Sequence, residues 1–302
     1  KGDTLIARSV DVSEKELFSK AQALREALQR PNQDPTPAAR VMYDLLIAPI
    51  AADLEALAPE TLVFSLDGVL RYLPMAALYD GNRYLVERYR VVGINEAVDA
   101  TVEDKGRQVW RLAGLGLTRG IGTFSALPAV REELDGVLGG ARPLLPGEVW
   151  FDQAFDANRV KLTQGGGFQV VHIASHFMFR PGNESNSFLL LGDGDQLTLQ
   201  RVRTAGYSFK GVDLVALSAC DTAVGGGRDA NGREVEGFAT LVQRQGAASV
   251  LATLWAVADR STALLMRAFY QARAGDAAGT KGKADALRSA QQQDLIKYIQ
   301  KY

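Results

Sequence analysis

The 302 residues predict an α/β protein, a mostly parallel central sheet flanked by helices, with further helices at the amino-terminal end. Three observations carry that expectation. From Glu60 onward, short apolar runs punctuated by Gly, Asp and Pro alternate with helical patterns, the signature of strands and helices interleaved in one domain. Two of the runs, "VVHIA" and "LVALSA", are nearly continuous in apolar residues, as strands covered on both faces are, so they are expected to be central and parallel. Before Glu60 the period is helical throughout. With 47% hydrophobic and 23% charged residues, the chain has ample material for a large core.

The elements follow in order. Ser13 to Arg30 place Leu17, Ala21, Leu24 and Leu28 on one helical stripe, behind Ser13 and Glu16 at capping-box spacing. "PNQDPTP" breaks the pattern. Thr36 is the expected cap and Pro37 the first-turn residue of a second helix, which Pro49 should kink or divide. The predicted strands are "TLVFSL", "YLVERYRVVG", "WRLAGLGL", "FQVVHIA", "VDLVALSA" and "ASVLATLW". Helices are predicted at Leu127 to Val137, Phe151 to Thr163, Glu234 to Gln245, Asp259 to Ala274 and Ala284 to Gln293. "LLLGDGDQL" reads as a strand entering a turn. The composition therefore divides the chain into a helical region, 1–59, that packs on or links to an α/β domain, 60–302.

Charge and motifs exclude several function classes. Thirty-four basic and 35 acidic residues leave a formal charge of -1, without the electrostatic footprint of a nucleic-acid or anionic-membrane binder. A small or peptidic partner fits better. A single cysteine can form neither an internal disulfide nor a thiolate zinc cluster, so a reducing, cytoplasmic setting and no metal are expected. "GGG" at Gly225 to Gly227 lacks the Lys-Ser/Thr of a phosphate loop, and "GLGLTRG" lacks the dinucleotide spacing, so no cofactor is expected. The apolar runs fall short of the roughly 20 residues needed to cross a bilayer. No signal peptide is visible, and the missing initiator methionine suggests a piece of a longer chain.

Open parallel sheets bind ligands beyond the carboxyl ends of their strands. Both histidines, His172 and His176, stand at the end of one predicted strand, and Cys220, the only cysteine, closes another. Cys220 has two readings: a small buried thiol, as unpaired cysteines often are, or a nucleophile at the sheet edge. The joint placement of His and Cys, with a glycine-rich segment after the latter, favours the nucleophile. His172 lies inside the apolar run and takes a structural role. His176, beyond Ala174 and Ser175, is the candidate base, since a thiolate needs a histidine within hydrogen-bonding reach. The backbone N–H groups of Cys220 and Phe177 are candidate oxyanion donors. Trp255, at another strand end, is either core packing or a pocket wall; Asp193 and Asp195 are solvated turn residues unless their turn faces the crevice.

"VVHIASH", "LVALSACDTAVGGG", "EVEGFATLVQRQGAASVLATLWAVADRSTALLMRAFY" and "ADALRSAQ" together resemble the CHAT family of caspase-like, clan CD cysteine peptidases, often joined to tetratricopeptide repeats. "LVFSLDGVLRYLPMAALYDGNRYLVERYRVV" and "ALPAVREEL" are similar to earlier family segments, so the resemblance spans roughly Glu60 to Gln293. It implies a caspase-like three-layer α/β/α sandwich, a catalytic dyad of His176 and Cys220, and oxyanion donors on Cys220 and on the residue after the histidine. That residue is Phe177 where the family has glycine, which puts a phenyl ring beside the site and makes a glycine-only backbone angle costly. After "ALRSAQ" the family continues to an aromatic-containing final strand, whereas this chain runs into "QQDLIKYIQKY". The resemblance implies a cysteine endopeptidase acting on proteins or peptides, restrained by a sensor module such as tetratricopeptide repeats, in bacterial defence. The alternatives are an inactive scaffold, suggested by Phe177, and a thiol hydrolase of small molecules. Asp193, Asp195 and Asp221 would favour a basic residue before the scissile bond; Phe177 and Trp255 would favour an apolar one. The loop Gly225 to Gly237, with Arg228 and Arg233, is either a switch beside the nucleophile or a plain connection.

Overall fold

The computed structural model describes residues 5–30, 32–94, 109–165, 167–178, 180, 185–219, 237–254, 259–275 and 281–299. The chain divides into two compact units, Lys1–Ile94 and Asn95–Tyr302. Among the described residues, no helix is long and apolar enough to cross a membrane.

In the first unit, helix α1 (Glu14–Gln29) starts where the Ser13 hydroxyl accepts the Glu16 N–H at 3.2 Å. Its stripe buries Ala21, Leu24 and Ala27. Helix α2 (Thr36–Leu46) buries Ala39, Met42 and Tyr43. Its cap differs from expectation: Thr36 is already helical, and the Asp34 carboxylate accepts both the Thr36 N–H, at 2.9 Å, and its hydroxyl, at 2.7 Å. The Thr36 N–H and then its hydroxyl hold the Asp34 carboxyl below its usual range. Pro49 divides the second pattern, because it has no N–H to continue the ladder. A single 3-10 turn, Ala48–Ile50, leads into α3 (Ala51–Leu57). Strand β1 (Thr61–Ser65) comes next. The predicted strand "YLVERYRVVG" is only half strand. Glu87 accepts the Tyr84 N–H at 2.6 Å and closes a short helix, α4 (Leu85–Arg88), so that β2 (Arg90–Ile94) begins six residues later than its pattern suggests and pairs in parallel with β1.

The second unit runs β3 (Leu112–Gly116), α5 (Ala129–Leu138), β4 (Gly147–Phe151), α6 (Ala157–Gly165), β5 (Val170–Ser175), β6 (Phe177–Met178), β7 (Phe188–Leu190), β8 (Gln196–Thr198), α7 (Leu199–Thr204), β9 (Leu214–Ala219), α8 (Phe238–Arg244), β10 (Val250–Ala252), α9 (Asp259–Ala274) and α10 (Lys283–Ile299). The central sheet has the order β10-β9-β5-β3-β4 and every pair in it is parallel. Strand alternation sends Val171, Ile173, Val215 and Leu217 to one face, where they pack with residues of α6, α7 and α8. Val170, Leu214 and Ala216 go to the other, against α5, α9 and α10. This is the expected three-layer sandwich with a parallel core. β6, β7 and β8 form a separate antiparallel sheet.

Several elements differ from the sequence reading, in which β8 and α7 have no counterpart. "GEVWF" forms the edge strand β4, which is only partly buried and therefore carries no continuous apolar run; because Phe151 closes it, the helix predicted from Phe151 starts at Ala157. α10 continues as helix to Ile299, where the resemblance leads to a final strand.

Glycines on β3 set how closely α5 approaches the sheet. A Cβ at Gly116 would lie 2.8 Å from Val130, 2.9 Å from Leu134 and 2.9 Å from Phe151, inside normal packing distance. Gly116→Val should therefore push α5 away and lower stability by about 1–3 kcal/mol, the usual cost of overpacking. A urea midpoint equal to the wild type would contradict this account.

Candidate active site

β5 and β9 end level. Their register runs from Val170 opposite Leu214 to Ser175 opposite Ala219, and the next residues in sequence are His176 and Cys220. Cys220, Asp221, Trp255 and loop residues 225–236 lie outside the described residues. His176 is fully defined.

Its imidazole is 4% exposed and is held from two directions. Nε2 lies 2.8 Å from the Ser125 carbonyl oxygen, so this nitrogen carries the proton and donates. The ring packs on Phe124 with centroids 5.2 Å apart. Both contacts come from the turn after β3, where Ile121 and Phe124 exchange backbone hydrogen bonds and Gly122 takes a left-handed φ of 57°. With Nε2–H committed, Nδ1 holds the lone pair. It is buried and has no hydrogen-bond partner among the described residues. An imidazole anchored through Nε2–H leaves Nδ1 as the nitrogen that can exchange a proton with a neighbour.

The backbone is pinned as well. The His176 carbonyl accepts the Leu190 N–H at 2.9 Å, and the Ser175 hydroxyl donates to the Leu190 carbonyl at 2.5 Å. Phe177 then enters β6 opposite Leu189. Because the Leu190 N–H goes to His176, this is a non-hydrogen-bonded pair, which directs the Phe177 N–H away from β7.

Two expectations about Phe177 are corrected. It needs no glycine-only angle, since the non-glycine residues with left-handed φ among the described residues are Ala58 and Asp152. Its ring does not crowd the imidazole: strand alternation turns it to the other layer, where it packs against Phe238 with centroids 5.7 Å apart.

Asp193 and Asp195 occupy the exposed turn between β7 and β8. Asp193 accepts the Asp195 N–H at 3.0 Å, and Asp195 pairs with Arg201 at 2.5 Å. His172 is fully buried and bound to Glu133 of α5 at 2.8 Å.

The sequence reading missed Asp152, which follows β4 at the same edge of the sheet. Its carboxylate accepts the Thr118 N–H and hydroxyl, both at 2.8 Å, and the Arg119 N–H at 3.3 Å, tying β4 to the loop that carries Ser125. Gly192 passes so close to the Asp152 carbonyl that no side chain fits there. Burial pushes the Asp152 carboxyl up, but the Thr118 donors and Arg119 outweigh it and leave it below the usual range. A signal for Asp152 would have required recognising β4.

Among the described residues, no group of three or more His, Cys, Asp and Glu could hold a metal ion. A parallel five-stranded sheet between helical layers, with a histidine just beyond one of its middle strands, places the protein in the class of three-layer α/β proteins. The chain belongs to the CHAT domain family, whose model matches residues 36–297. No curated protein matches it.

Asp152→Ala should lower stability by about 1–3 kcal/mol by removing the charged acceptor of the half-buried Thr118 N–H and hydroxyl. Asp152→Asn isolates the charge. A carboxyl with a depressed folded pKa contributes stability above its unfolded value, near 4, and loses it as pH falls through the folded value. The gap in urea midpoint between wild type and Asp152→Asn should therefore be widest at neutral pH and close below about pH 4. A gap independent of pH would contradict this.

Proposed function

We propose that the protein is a cysteine endopeptidase acting on protein or peptide substrates through His176 and Cys220. One observation carries the reading: His176 presents an Nδ1 with no partner among the described residues at the end of β5, level with the end of β9, after which Cys220 follows in sequence. In this mechanism Nδ1 takes the Cys220 proton, and the thiolate attacks the scissile carbonyl carbon. The backbone N–H groups of Cys220 and Phe177 stabilise the oxyanion. Collapse of the tetrahedral intermediate breaks the C–N bond as the imidazolium protonates the departing amine. His176 then activates water to hydrolyse the thioester, releasing the acid and the free thiol. The Ser125 carbonyl, accepting from Nε2–H, stabilises the imidazolium in both steps.

Membership of the CHAT family supports this chemistry, and the single cysteine, which can form no internal disulfide, supports a reducing, cytoplasmic setting. A sensor module that releases activity, with a role in bacterial defence, belongs to the same proposal. So does a substrate pocket that includes Asp193, Asp221 and Trp255. The scaffold alternative drew on Phe177, and an extended, inward-packed Phe177 weakens that motive.

Mass spectrometry of a proteome-derived peptide library should yield products with the wild type and none with Cys220→Ala. His176→Ala should lower the rate by about 10²–10⁴. Cleavage that survives Cys220→Ala would refute the nucleophile. A Cys220 that stays unreactive toward electrophilic peptide probes, with an activator present, would favour the scaffold.

A further inference from the structure

We infer that Glu133, His172, Ser218 and Tyr270 form a buried positioning network that sets the carboxyl ends of β5 and β9, and through them the approach of His176 and Cys220. The inference rests on the peptidase reading above. The four residues come from α5, β5, β9 and α9, and Glu133, His172 and Tyr270 are at most 2% exposed. Glu133 Oε1 accepts the Ser218 hydroxyl at 2.5 Å and His172 Nε2–H at 2.8 Å, so one carboxylate oxygen bridges both strands. Ser218 Oγ is itself 3.1 Å from His172 Nε2. On the other side of the ring, the Tyr270 hydroxyl lies 3.2 Å from Nδ1. Burial, and then the Glu133 charge, push the Tyr270 phenol well above its ordinary range. Its hydroxyl therefore keeps its proton and donates to Nδ1, which fixes Nε2–H toward Glu133.

Such a cluster is weak evidence of a stabilising role. Burying a carboxylate costs several kcal/mol before its partners offset it, and well-packed apolar side chains serve a core at least as well. What it supplies is direction, since each bond has one geometry and apolar contacts have many. The location is telling. Ser218 stands two residues, one strand repeat, before the position of Cys220 in the sequence. His172 stands two such repeats before His176 and shares its face. A shift of the strand ends by about 1 Å is enough to cost a reaction roughly 10²-fold.

The single cysteine makes the test specific, because thiol alkylation reads Cys220 alone. Iodoacetamide rates across pH would be measured for wild type, Tyr270→Phe, Ser218→Ala, Ser218→Thr and Glu133→Gln, with urea midpoints to establish folding. Tyr270→Phe and Ser218→Ala each remove one hydroxyl and should remain folded. They should slow alkylation at pH 7 by about fivefold or more, move its pH midpoint, and lower kcat with KM unchanged, while Ser218→Thr restores the rate. Should Glu133→Gln unfold, the two hydroxyl deletions decide. Alkylation profiles that superimpose on the wild type in folded variants would overturn the network while leaving the dyad intact, provided His176→Ala moves the profile. A wild-type midpoint near that of a free thiol, about 8.5, and unmoved by His176→Ala, would overturn both readings.

Discussion

Ser175 lies opposite Ala219 and Ala174 opposite Ser218, and this parallel register is the constraint on which the rest of the second unit depends. Side chains alternate along a strand, so a slip of one residue would exchange the two faces of β9 relative to β5. Ser218 would turn toward the α6–α8 layer and leave Glu133 with one donor fewer. Leu217 would enter the polar pocket in its place. Because both strands are covered on both sides, the two helical layers reject the slip independently: Val171 and Leu217 fill one core, Val170 and Ala216 the other. Register and layer packing therefore enforce one another.

The same economy holds His176. Its ring is clamped by Phe124 and Ser125 from the loop after β3, while its carbonyl is clamped by Leu190 of the antiparallel sheet. Asp152 ties that loop to β4. The imidazole thus rests on three strands beyond its own. None of these contacts falls on Nδ1, so the ring is held while that nitrogen keeps no partner among the described residues.

Parts of this arrangement were legible in the sequence because their signals are local. The stripe and Ser13 cap of α1 describe that helix almost to its ends, and the uniform apolar texture of "VVHIA" and "LVALSA" marks the two central strands. The position of His176 followed from those strands alone. Other parts depend on partners far away in sequence. β4 is an edge strand without a full apolar face, and its loss hid Asp152. The β-prone "RYRVVG" was extended backward too far, because the capping contact of Glu87 outcompeted strand pairing at Tyr84. "GLGLTRG" lacks the dinucleotide spacing, which left the role of its glycines unread; Gly114 and Gly116 face Leu134 of α5, and at Gly116 a Cβ would come within 2.9 Å of it. Phe177 was judged by the angle a glycine could take, while the backbone there is an ordinary strand.

The strand order also shapes the history of each molecule as it is made. β5 is hydrogen-bonded to β3 on one side, both available once Ser175 has been synthesised. Its other edge waits for Leu214–Ala219, after the whole antiparallel sheet and α7 have emerged. Until then a wholly buried strand of the mature protein exposes a row of unpaired backbone groups, the kind of edge that recruits other chains. Non-local parallel pairing is slow to close. The time taken to synthesise 176–213 is therefore the time for which that edge stands open to other chains.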